Sequence, residues 1–132
     1  MLCDLIRRIH EEGSPEAYQA FADEFRRLAD NHEWVAIPAD EDENGRYFGK
    51  TEFNGENWLV MFSGSEPEKC VPGLQLCGCS DLAVTDINKL IAEVYCFRNC
   101  PGILIDPQGP RTMVIPRSAL ETLTGRKDPW II

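Results

Sequence analysis

The chain has 132 residues and a mass of 14.9 kDa, a length that predicts one domain with a single core. Its 43% hydrophobic and 27% charged residues are those of a globular chain, which excludes intrinsic disorder and a collagen-like fold. Thirteen Lys and Arg against 22 Asp and Glu give a net charge of −9, and such a field argues against nucleic acid and anionic lipid as partners.

The acidity is uneven. Residues 1–100 hold 19 acids and 9 bases, whereas residues 101–132 hold 3 acids and 4 bases. The start, Met1 to Arg8, lacks a basic opening and its apolar run is broken at Asp4 and Arg7, so no export signal is read. No stretch approaches the ~18 apolar residues that span a bilayer. The expected location is the cytoplasm.

Leu2, Leu5, Ile6 and Ile9 recur at helical spacing and predict a helix over 2–12, ended by Gly13. Ser14-Pro15-Glu16 supplies a cap, a proline at the first helical position and an acid in the first turn. Tyr18, Phe21, Phe25 and Leu28 then line one side of a helix over 15–31. The two helices form a predicted hairpin over 1–31, its aromatic stripe read as core.

From Trp34 the period shortens from 3.6 to 2. Trp34 to Pro38 predicts a strand, and Asp40 to Gly45 an acidic turn. Residues 46–53 and 56–63 flank Asn54-Gly55, a dipeptide that tolerates the positive φ angles of a type I′ hairpin turn. Apolar residues on both faces of 58–62 predict a central strand. Residues 64–69 read as one short helical turn, Leu74 to Cys77 as a strand, and Leu82 to Val84 as its extended continuation.

Thr85 is read as the cap of a helix over 86–94, followed by a loop from Cys96 to Pro101. Gly102 to Asp106 predicts a buried strand, Pro107 to Pro110 a turn, and Thr112 to Ile115 its return. A last helix over 117–124 ends at Gly125. The expected fold class is α+β: an N-terminal helical hairpin, then a mostly antiparallel or mixed sheet over 34–125 with helices packed on one side, and a short tail over 126–132.

Six cysteines, at 3, 70, 77, 79, 96 and 100, read as reduced thiols in a chain with core enough to fold without bridges. Cys77, Cys79, Cys96 and Cys100 are the candidate zinc ligands, although only the Cys96–Cys100 spacing fits a structural knuckle. Cys100, close to Arg98 and before Pro101, is the candidate redox thiol. The Asp40–Glu43 run fails as a calcium loop, since the position needing a bidentate glutamate is Thr51.

Only His10 and His32 can serve a nucleophile, and neither a Gly-x-Ser-x-Gly elbow nor a phosphate loop is present. A deep polar pocket holding His32 and a carboxylate would be needed to revive an enzyme. The expectation is a non-catalytic molecule with no cofactor that binds a protein or peptide.

One set of segments resembles a known family. Trp34–Asp40, the Asn54-Gly55 hairpin, Met61 to Glu66, Asp86–Leu90, Gly102 to Pro107 and Met113 to Pro116 together resemble the N-terminal domain of the bacterial SseB (enhanced serine sensitivity) family. The resemblance spans about residues 20–124. It implies a bacterial cytoplasmic α+β domain and brings no catalytic residues with it. Trp130, Ile131 and Ile132 form an apolar end that is expected to seek cover on its own domain, on a partner or on a second copy. An open sheet edge is the other place where a peptide would add.

Overall fold

The computed structural model describes residues 2–43 and 45–129. Over these the chain is α+β, with the elements α1 (Leu2–Glu12), α2 (Pro15–Asp30), β1 (Trp34–Asp42), β2 (Gly45–Phe48), β3 (Lys50–Phe53), β4 (Glu56–Met61), α3 (Pro67–Cys77), β5 (Asp81–Asp86), α4 (Ile87–Cys96), β6 (Gly102–Ile105), β7 (Met113–Pro116) and α5 (Arg117–Thr124).

The helical hairpin forms as its caps dictate. Gly13 takes a left-handed φ of 61° after α1, and Ser14 Oγ accepts the Ala17 amide at 3.2 Å to open α2. Leu2, Ile6 and Ile9 face Phe21, Phe25 and Ala29 within the main core. The expected aromatic stripe is core at Phe21 and Phe25, whose rings meet at 5.9 Å, but Tyr18 lies half exposed.

The strands fall into two ladders, ordered β2-β1-β5 and β3-β4-β6-β7, bridged where the Phe62 amide donates to Ala36 O at 2.9 Å. The expected strand over 46–53 is split at Gly49. There an ideal Cβ would sit 2.7 Å from Cys79 Sγ, and the amide donates to Pro38 O. Its first half stays with β1 while its second half turns to β4 through the expected Asn54-Gly55 hairpin. All pairings are antiparallel except β4 with β6. β4 is central as expected: Leu59 and Met61 enter the main core, Val60 and Phe62 the smaller one behind the sheet.

Several local expectations are corrected. Residues 74–77 are not a strand. They end α3, because Cys70, Gly73, Leu74 and Cys77 recur at helical spacing against Val60 and Phe62, and that burial outweighs the two-residue alternation. α3 thereby covers the face opposite the other four helices, so the helices are not all on one side. Asp40 to Asp42 are not part of a turn but continue β1, where Asp42 pairs with Gly45 of β2. Asp86 rather than Thr85 caps α4, its carboxylate accepting the Asn88 amide at 2.8 Å, and α4 runs on to Cys96.

The end of the described chain is strapped down. Arg126 donates to Asp30 and Ala29 O on α2, and Arg117 grips Asp128. The apolar tail Trp130, Ile131 and Ile132 lies outside the described residues.

Candidate functional site

The four candidate zinc ligands do not converge. Cys77 closes α3 and Cys79 follows it, whereas Cys96 ends α4 and Cys100 lies buried before β6. Among the described residues, no group of three or more His, Cys, Asp or Glu is placed to hold a metal. The two pairs were adjacent only as spacings in the sequence, and the β5–α4 segment between them carries them apart. All six cysteines are free thiols. Burial pushes the Cys77 thiol up to about 12, with Cys79 adding to it; Cys79 and Cys70 are raised first by burial and then by nearby carboxylates. Such thiols resist ionisation, the opposite of what a reactive site needs.

The histidines make no pocket. His10 Nε2 lies 3.0 Å from Thr112 O, and His32 Nδ1 lies 3.2 Å from Asp86 Oδ2 on the open surface. A concavity of about 500 Å³ lies between α1, α3 and the 106–111 turn. Its floor is Asp106, held at a left-handed φ of 54°, whose carboxylate accepts both the amide and the hydroxyl of Ser63. Both oxygens are thus occupied in pinning the turn after β6 to the end of β4. A second, apolar groove of about 560 Å³ runs between α2, β7 and α5, lined by Tyr18, Met113, Val114 and Leu123 among others.

The sheet edges differ sharply. At β7, the Arg117 amide bonds to Pro101 O, which fixes the ladder phase and leaves Thr112, Val114 and Pro116 facing outward. Pro116 has no N–H, and His10 takes the Thr112 carbonyl, so among the described outward residues of β7 Val114 alone keeps both groups for pairing. β2 and β3 are each four residues long, β2 opening on Gly45 and β3 carrying Lys50 and Glu52, short edges of the kind that resist addition.

β5 is open. The Ile87 amide bonds to Glu33 O, so Thr85 and Ala83 share that phase and pair with β1 at Val35 and Ile37. Ala36 O and Pro38 O confirm the phase by turning the other way, to Phe62 and Gly49. Leu82 and Val84 therefore aim their N–H and C=O groups away from β1, and no described residue bonds to them. The edge holds neither Pro nor Gly between Asp81 and Asp86. On its α3-side face, Leu82 is covered by the smaller core, but Val84 is 56% exposed and Trp34, paired across from Asp86, is 67% exposed. The alternation around Leu82 to Val84 signals a strand, but nothing in it signals that the strand ends a sheet.

No protein-family model matches the chain, and neither the curated proteins nor the solved structures yield a match. No helix among the described residues is long and apolar enough to cross a membrane.

Proposed function

We propose that this chain is a non-catalytic, SseB-like cytoplasmic binding module whose protein or peptide partner adds an extended strand to β5. The observation that carries this reading is the pair of outward backbone positions, Leu82 and Val84, on a terminal six-residue strand beside two exposed apolar side chains, Trp34 and Val84. Unpaired main-chain groups in a row supply affinity without a deep pocket, and alternate side chains supply selectivity. The blunted β7 edge and the short β2 and β3 edges favour β5 as the place of addition. The free thiols suit a reducing compartment.

Selection of a displayed library of random heptapeptides on the immobilised protein tests this reading. Enriched peptides are expected to slow hydrogen exchange at the Leu82 and Val84 amides and to lose binding to Val84→Pro. That substitution removes an outward N–H and exchanges one apolar side chain for another, at a position where an edge strand accepts proline. Enriched peptides that bind Val84→Pro as tightly as the natural chain would refute strand addition.

A further inference from the structure

We infer that the strand β5 accepts is a cationic one, with basic residues about five positions apart at its two ends and an apolar residue between them on the Val84 side. This rests on the strand-addition reading and names its partner's chemistry.

Both ends of the open edge are acidic. At the start, Asp81 sits opposite Ala39, so Asp40 comes next along β1, and Ser80 Oγ donates to Asp40 at 3.2 Å. Asp40 is also the main cause that raises the Tyr47 hydroxyl, ahead of burial. At the other end stands Asp86, whose carboxylate caps α4 and lies 3.2 Å from His32, with Glu33, within 3.8 Å of Arg27, just before β1, so the Asp81 end carries the freer negative charge. The Asp86 carboxyl is held below its ordinary range, first by the Asn88 amide and then by His32. Between Asp81 and Asp86, β5 carries only Leu82, Ala83, Val84 and Thr85. Five strand steps of ~3.3 Å separate the two backbone positions by roughly 17 Å, with the side chains on opposite faces, the reach of a six-residue partner strand.

The same charges disfavour a second copy. Antiparallel two-fold pairing of β5 with itself brings the Asp81 end of each copy to the Asp86 end of the other, acid against acid at both ends. A chain of net charge −9 adds long-range repulsion to that local one. A partner with cations at those ends gains where a copy of the chain loses.

Two capped synthetic peptides test this, each an alternating Val/Thr strand of six residues, one with lysine at both ends and one with glutamate. The lysine peptide should bind the intact chain at least ~10-fold more tightly in 50 mM salt, since two surface charge contacts together reach about that factor. Raising the salt to 500 mM should shrink the gap several-fold. Asp40→Asn with Asp81→Asn should reduce it to below ~3-fold. N-methylation of alternate peptide amides, a control that leaves the protein unchanged, should abolish binding. Equal affinities with binding still lost on N-methylation would overturn the cationic partner and leave strand addition standing. Binding that survives both N-methylation and Val84→Pro, or no binding of either peptide, would overturn strand addition itself. A dimer in sedimentation that Val84→Pro disperses would show that the edge serves a second copy instead.

Discussion

Arg117 grips Asp128 as a fork, Nε to Oδ2 at 2.5 Å and Nη2 to Oδ1 at 2.9 Å, with the Asp128 side chain only 4% exposed. The same guanidinium donates through Nη1 to the carbonyls of Val94, Phe97, Arg98 and Cys100 and lies over the Tyr95 ring. It thus ties the end of α4, the loop before β6, the start of α5 and the 126–129 segment to one charge.

Removing one partner strands the other charge away from water. Asp128→Ala is expected to cost ~3 kcal/mol, within the range for breaking a buried pair. In a domain of this size that lowers Tm by roughly 10 °C. Arg117→Lys should recover little, because an ammonium cannot make the fork and reach the carbonyls together. Thermal unfolding followed by circular dichroism checks both, and unchanged melting of Asp128→Ala would disprove the role.

Gly102 begins β6 at a φ of +146°, and a Cβ there would lie 2.1 Å from Ile115 O. The contact is with backbone, so no side chain can move aside. Gly102→Ala should therefore disrupt the β6–β7 pairing and cost at least ~3 kcal/mol. Urea unfolding at 25 °C measures it. A loss under ~1 kcal/mol would show that the ladder yields.

The raised thiols set an alkaline limit. Cys77 at about 12 stays neutral in the folded chain while its unfolded counterpart ionises near the ordinary value of 9.0. The folded state then binds more protons, so stability is full below pH 9 and falls as pH rises from about 9 toward 12. Cys70, Cys79 and Tyr95, all raised chiefly by burial, act with the same sign. Cys77→Ala should flatten part of that alkaline fall in Tm, and an unchanged slope would refute the assignment. At pH 8, Cys77 should also alkylate far more slowly than the exposed Cys3 and Cys96.

Elements whose signal is local were readable from the chain. The Ser14 cap with Pro15, the Asn54-Gly55 turn and Gly125 past α5 each satisfy or relax their own neighbouring backbone, so composition alone placed them. The double-faced burial of β4 was readable for the same reason, since both its neighbours' faces are written in Leu59 to Phe62. α3 was not readable. Its two prolines and the Leu-Gln-Leu alternation point elsewhere, and only packing on Val60 and Phe62 makes the helical spacing the favourable one.

For the candidate site the division is starker. Charge, the missing catalytic motifs and the existence of an extended segment at 82–84 belong to the sequence by itself. Which edge is open belongs to the tertiary structure, because an edge is defined by what fails to pair, and pairing is a long-range choice. His10 on Thr112 O and Pro116 blunt β7, while no described residue comes to the outward groups of Leu82 and Val84. The separation of the cysteine pairs was decided in the same way, by the path of the chain between them and not by their spacing.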